Sequence, residues 1–217
     1  MAAGLASRLK PMTDNFPKCL LPINGVPILE YWLTAIIRCN EFDGIFVNVH
    51  HCSTAVVAWI EGYSKMVGKE IRIIDETSGL LGTAGTLFWH GDPTEDFMMV
   101  YADTYSYQFM EEMPKIVKFW KECPDKPIAS LITFPMPEDS SAGAIETDFM
   151  GTITRFIEKR DDGLMAWAGM MFGSPKFYSE LRKEDRDLAR DVFPRLCGKI
   201  NVIKHVTDAY DIGRGTI

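Results

Sequence analysis

Short β-branched runs alternate with amphipathic helical runs along this chain, and that alternation constrains the fold more than any other feature. Residues 27–39 place Ile28, Leu29, Trp32, Leu33, Ile36 and Ile37 on one face at helical spacing, with Pro27 suited to the first turn. Residues 44–49 (Gly-Ile-Phe-Val-Asn-Val) predict a buried strand. Ser53 is placed to cap a helix running through Ile60, and residues 71–74 predict the next strand. A strand over 97–100, a helix over 110–122 and a strand over 128–134 continue the pattern. The fold class expected is α/β: a Rossmann-like, mostly parallel mixed sheet with helices on both faces. Residues 142–146 and 152–157 flank a turn at 148–151 and predict a pair of strands in a more antiparallel region.

Chemistry is concentrated first in residues 2–18, Ala-Ala-Gly-Leu-Ala-Ser-Arg-Leu-Lys-Pro-Met-Thr-Asp-Asn-Phe-Pro-Lys. A turn of small residues lets main-chain N–H groups approach an anion. Arg8 can fork two phosphate oxygens and Lys18 can add a point charge, while Pro11 and Pro17 stiffen the loop. Arg8, Lys10 and Lys18 stand against Asp14, a local net of +2 in a chain of net charge −7. A positive pocket on an acidic protein points to a small anionic ligand. Alone, such a loop reads more readily as an ordinary basic surface turn.

Two further stretches have the same double reading. Glu76 is followed by Gly82-Thr83-Ala84 opening an apolar helix, whose first N–H groups suit a base edge or a phosphate, or simply a capped loop. Asp103 ends an apolar strand, where open α/β sheets bind ligands; it is either a magnesium ligand or the cap of the next turn. The adjacent His50 and His51 read as structural.

Taken together the stretches resemble the sugar-1-phosphate nucleotidylyltransferases, whose signature is approximately (L/M)AAGxGxRLxPxTxxxPKxLxPxxxxPxLE. The chain matches at Ala2, Ala3, Gly4, Arg8, Leu9, Pro11, Thr13, Pro17, Lys18, Leu20, Pro22, Pro27, Leu29 and Glu30, and departs at Ala6. Leu81-Gly82-Thr83-Ala84-Gly85 is similar to that family's base-recognition segment. Asp103 falls on its first metal aspartate, with Thr104 where many relatives carry Asn. Residues 151–159 look like its sugar-phosphate motif, with Glu158 for sugar hydroxyls and Lys159 for the sugar phosphate. Ala168-Gly169 resembles an Asn-Ala-Gly element with Trp167 in place of Asn. Residues 191–196 resemble its Asp-x-x-Pro-x-Leu segment, and Asp211 in Asp-Ile-Gly matches its second metal aspartate.

The resemblance implies a glycosyltransferase-A-like nucleotidyltransferase fold in one domain, with a nucleotide-binding half over about residues 1–107 and a sugar-phosphate half over about 108–217. It implies that a sugar 1-phosphate is joined to a nucleoside triphosphate with release of pyrophosphate. Ala2, Ala3, Gly4, Leu5, Glu76, Gly82, Thr83 and Ala84 would bind the nucleotide. Arg8, Lys18, Asp103 and Lys159 would act in catalysis. Asp103, Gly143, Glu158, Lys159, Trp167 and Gly169 would meet the sugar substrate, and Asp103 with Asp211 would hold Mg²⁺. The attacking phosphate oxygen is already ionised, so no general base is required. The wording is nearest to mannose- or heptose-1-phosphate guanylyltransferase-like members. The alternatives are a uridylyl- or thymidylyltransferase of the same family, or a catalytically weak sugar-nucleotide-binding regulatory homologue. Against the family pattern Met1 falls where the first strand ends, so that strand is expected to be absent from this sequence, and the end soon after Gly213 looks cut short.

Composition narrows the partners. A net charge of −7 argues against nucleic acid and anionic membranes. No apolar run approaches the ~20 residues that span a bilayer, and no secretory pattern opens the chain. Five scattered cysteines form no CxxC pair and suit a reducing compartment, so a cytoplasmic protein is expected, with homo-oligomer formation left open.

Overall fold

The computed structural model describes residues 1–3, 9, 11–136, 143–157 and 165–212. In chain order the elements are β1 (Pro22–Ile23), β2 (Val26–Pro27), α1 (Ile28–Cys39), β3 (Phe46–Val49), α2 (Ser53–Val67), β4 (Arg72–Asp75), α3 (Gly82–His90), β5 (Phe97–Val100), β6 (Thr104–Tyr105), α4 (Tyr107–Glu122), β7 (Ala129–Pro135), β8 (Ala144–Thr147), β9 (Ile153–Ile157), β10 (Met165–Gly173), α5 (Pro175–Glu180), α6 (Phe193–Leu196), β11 (Asn201–His205) and β12 (Tyr210–Asp211). They divide into two units that interleave along the chain. Unit 1 holds Met1–Leu80, Tyr101–Lys118 and Tyr210–Ile217; unit 2 holds Leu81–Val100 and Phe119–Ala209.

Unit 1 is built on a parallel β3–β4 pair, in register from Phe46↔Arg72 to Val49↔Asp75. Helix α1 buries Ile28, Leu29, Trp32 and Leu33 as the spacing predicts, and stops where Asn40 turns left-handed and its N–H reaches back to Ile36. Helix α2 runs past the expected Ile60 to Val67, because Tyr63 continues the face of Val56 and Ile60. Gly68, at φ 65°, ends it. Ser53 is the first helical residue rather than the cap; the position before it, Cys52, takes φ 51°. Helix α4 begins at Tyr107, ahead of the predicted Met110, because the Ser106 hydroxyl accepts the Phe109 N–H. The core of the unit joins Leu29, Leu33, Val47, Val49, Val56, Ile60, Ile71, Cys19, Leu20 and Ala102. Residues 1–3 are tied into it. The Ala2 N–H donates to Asn48 Oδ1, and the Ala102 N–H donates to the Met1 carbonyl.

Unit 2 is organised by β10, an apolar run buried from Ala166 to Gly173. The sequence reading placed no strand there. Gly169 interrupts the run, but an unbroken apolar stretch is what a strand covered on both faces requires. One edge of β10 pairs with β7, and β8 and β5 share the other edge, all antiparallel to it. Beyond β7 lies β11, parallel to it; beyond β8 lies β9, antiparallel. Strands β5, β7, β8 and β11 therefore run one way and β9 and β10 the other, a mixed sheet in which most strands share a direction. The α/β class holds. The predicted hairpin over 142–157 is present as β8–β9, its turn fixed by Asp148, whose Oδ1 accepts the Met150 and Thr152 N–H groups.

Candidate active site

Three charged side chains from distant parts of the chain meet in unit 1. Lys18 opens a short helical turn immediately after Pro17, which presets the backbone before it. Asp103 lies in the turn between β5 and β6. Asp211 sits on β12, whose antiparallel pairing with β6 sets it opposite Thr104, while the Ile212 N–H donates to the Asp103 carbonyl. Lys18 Nζ lies 2.6 Å from Asp103 Oδ2 and 3.2 Å from Asp211 Oδ1, across sequence separations of 85 and 193 residues. The lysine side chain is 13% exposed and the two carboxylates 34% and 26%. One cation is thus shared between two carboxylates that still face solvent.

Helix α1 holds this corner in place. The Trp32 indole N–H donates to the Thr104 carbonyl at 2.8 Å, inside the core, and the Trp32 ring packs on Phe109. Tyr31 meets Tyr105 edge-on at 5.2 Å. Cys19 follows Lys18, but its thiol is buried, and burial pushes it up to about 12, which removes it as a nucleophile near neutral pH.

The remaining nucleotide-side positions are held as follows. Ala2 and Ala3 are placed in unit 1 by the ties described above, with Ala3 buried. Gly4, Leu5 and Arg8 lie outside the described residues, as does Ala6. Glu76 is buried, and its Oε1 accepts the Asn48 amide N–H at 2.9 Å. In unit 2, Gly82 has φ +80°, and a Cβ there would stand 2.3 Å from the Arg186 carbonyl, so only glycine fits. The Ala84 N–H, expected to point at a ligand, donates to that same carbonyl at 3.1 Å. The Thr83 hydroxyl accepts the Leu188 N–H at 3.0 Å. Residues 186–188 therefore clasp the start of α3. Asp191 secures them in turn: its Oδ2 accepts the Arg186 and Asp187 N–H groups at 2.8 Å each, which holds its carboxyl below the ordinary carboxylate range.

On the sugar side, Glu158 and Lys159 lie outside the described residues. Gly143 accepts the Trp167 N–H through its carbonyl, and a Cβ on Gly143 would strike the Phe156 ring at 2.6 Å. Trp167, expected to meet the sugar, is packed among aromatic rings in unit 2. The residue is 8% exposed; its ring stands edge-on to Phe193 at 4.9 Å and gives its indole N–H to the Met170 carbonyl. A large aromatic gains more from packing there than from a wet pocket. Gly169, at φ 72°, lies in the irregularity where β10 slips against β7 between Trp167 and Met171.

Sequence reasoning missed Asn48. The signal was present: an amide inside a β-branched strand must find partners when buried. Among the described residues, no group of three or more His, Cys, Asp or Glu side chains that could hold a metal ion converges. No helix among them is long and apolar enough to cross a membrane.

Comparison with known proteins decides the family. The model of the nucleotidyl transferases matches residues 1–214. The chain belongs to the nucleotidyl transferase family. The relatives it resembles are named for different bases. A UTP–glucose-1-phosphate uridylyltransferase of Synechocystis is 28% identical over 215 residues, covering 90% of this chain and 54% of the relative. A probable mannose-1-phosphate guanylyltransferase of Oryza sativa is 23% identical over 225 residues, covering 99% and 60%. A glucose-1-phosphate adenylyltransferase of Photobacterium profundum is 23% identical over 239 residues, covering 96% and 58%. The chain spans a little over half the length of these relatives.

Proposed function

We propose that this nucleotidyl transferase joins a sugar 1-phosphate to a nucleoside triphosphate, with a mannose- or heptose-type sugar and GTP favoured. The observation that carries the reading is the single ammonium of Lys18 drawn between Asp103 and Asp211. A phosphate oxygen of the sugar 1-phosphate attacks the α-phosphorus. The bond from that phosphorus to the β-bridging oxygen breaks, and pyrophosphate leaves with the electron pair. No proton has to move, so positioning and positive charge are what the protein must supply.

Two half-exposed carboxylates converging on one cation suit Mg²⁺, which takes one or two carboxylates and completes its shell with phosphate oxygens and water. Asp103 and Asp211 are the residues that would hold it, and when bound it supplies charge neutralisation at the reacting phosphates. Lys18 adds a fixed positive charge beside them. Arg8 with the loop N–H groups is assigned to the triphosphate, and Glu158 and Lys159 to the sugar hydroxyls and sugar phosphate. Glu76, Gly82, Thr83 and Ala84 are assigned to the base side. Gly143, Trp167 and Gly169 are assigned to the side of the site that meets the sugar.

The relatives named above use uridylyl, guanylyl and adenylyl groups, so base and sugar are to be settled together. The test is pyrophosphate release with Mg²⁺, each of GTP, UTP, dTTP, CTP and ATP, and a panel of sugar 1-phosphates. Release with GTP and mannose 1-phosphate is expected. Nucleotide binding without release from any pair would favour a regulatory homologue.

A further inference from the structure

The carboxyl end of β3 makes four hydrogen bonds to two segments assigned to the nucleotide. Asn48 Oδ1 accepts the Ala2 N–H at 2.7 Å, and Asn48 Nδ2 donates to Glu76 Oε1 at 2.9 Å. His50 Nδ1 lies 2.7 Å from the Glu76 carbonyl, and His51 Nε2 lies 2.8 Å from the Thr13 carbonyl. A carbonyl oxygen only accepts, so each of these ring nitrogens carries a proton and donates. Ala2 and Thr13 bracket the anion-binding loop, and Glu76 opens the base segment. Residues 48–51 thus hold both, with two bonds to each.

The chemistry of the link is specific. Asn48 and Glu76 are both buried, at 6% and 1% exposure. A buried carboxylate must be met by a donor, and the backbone N–H of Ala2 must be met by an acceptor. An amide does both at once. Aspartate would set two carboxylates face to face, and leucine would take one bond from each partner. A nucleoside triphosphate seated by its phosphates carries its base only a limited distance. The separation of the two segments therefore sets how closely the edge of a given base meets the Glu76 segment, and a misplacement of about 1 Å is costly in such a site.

We propose that Asn48, His50 and His51 are positioning residues: they fix the distance between the anion loop and the Glu76 segment, and through it the choice of base. The inference rests on the nucleotidyl-transfer reading above. It is tested by calorimetric titration, with Mg²⁺, of GTP, UTP, dTTP, CTP, ATP and inorganic tripolyphosphate into the parent chain, Asn48→Ala, His51→Ala and His51→Gln. The parent is expected to prefer one nucleotide. Losing one bond in His51→Ala should shrink that preference about tenfold, the equivalent of one hydrogen bond, and losing two in Asn48→Ala should shrink it at least as much. Tripolyphosphate should bind them nearly as it binds the parent. His51→Gln keeps an N–H donor and should restore most of the preference.

Retained preference in both alanine variants would overturn the proposal. So would equal weakening of every ligand, tripolyphosphate included, or a parent with no preference. If Asn48→Ala fails to fold, the two His51 variants decide alone. A parent that selects its nucleotide yet releases no pyrophosphate with any sugar 1-phosphate would refute the transfer reading and leave the positioning role standing.

Discussion

The two units each contain a cluster of charge, and the clusters are built on opposite plans. In unit 2, Arg195 meets Asp185 through two parallel contacts, Nη1 to Oδ1 at 3.0 Å and Nη2 to Oδ2 at 2.8 Å. The Arg182 N–H adds a further donor to Asp185 Oδ2, and Nη2 also reaches the Glu180 carbonyl. The Asp185 side chain is 4% exposed. In unit 1, one lysine serves two carboxylates that remain a quarter to a third exposed. A forked pair with its lone pairs filled is a structural tie. A cation divided between two solvent-facing carboxylates is the arrangement on which the proposed function rests. The difference is in satisfaction, and the kind of residue alone does not reveal it.

Breaking the satisfied cluster should produce the largest loss of stability. Asp185→Ala strands the Arg195 guanidinium and is expected to cost about 3 kcal/mol, the low end for a broken buried pair because Arg195 keeps some solvent. Denaturant unfolding of parent and variant measures it; a change below about 1 kcal/mol, the range of exposed pairs, would place this cluster with the weak ones.

A second contrast lies in two buried tryptophans. The Trp32 N–H in unit 1 is bonded to the Thr104 carbonyl, whereas among the described residues the Trp120 N–H in unit 2 has no partner while its ring stacks on Phe172. Trp32→Phe leaves a buried carbonyl short of a donor and should cost about 1–3 kcal/mol beyond the change in volume. Trp120→Phe removes an unsatisfied donor and should cost less than Trp32→Phe. Equal thermal shifts for the two variants would show that volume alone governs both.

The smallest effect concerns Asp191. Two backbone N–H groups hold its carboxyl below 3.8, the value in the unfolded chain. The folded group therefore ionises more readily than the unfolded one. Its contribution is present above that value and is lost as pH falls through the lower folded one. Asp191→Asn should be slightly less stable than the parent at neutral pH, and the gap should close as unfolding is followed down toward pH 3. A gap that widened on acidification would reverse the sign.

Much of this was legible in the sequence for identifiable reasons. Helix α1 announces itself through local spacing, which burial of Ile28, Leu29, Trp32 and Leu33 then satisfies. Lys18 and Asp103 could be singled out because each ends a recognisable local phrase, and Asp211 only through the family resemblance, although nothing local states that they meet. Asn48 was hidden because its partners lie 46 and 28 residues away, and a single amide does not disturb a strand pattern. The packing of Trp167 was not legible, because its ring neighbours Phe156 and Phe193 come from other elements. The strand β10 was masked by its central glycine, and the interleaving of the two units has no sequence signal.

The central claim is that the shared cation in unit 1 marks chemistry rather than a structural tie. It is tested most directly by the rate of pyrophosphate release from Asp103→Asn, on the best nucleotide and sugar 1-phosphate pair, with folding checked by its thermal midpoint. The account predicts a folded variant slowed by about 10²–10³, the loss typical of removing one preorganised electrostatic group. A folded Asp103→Asn that works at the parent's rate would contradict it.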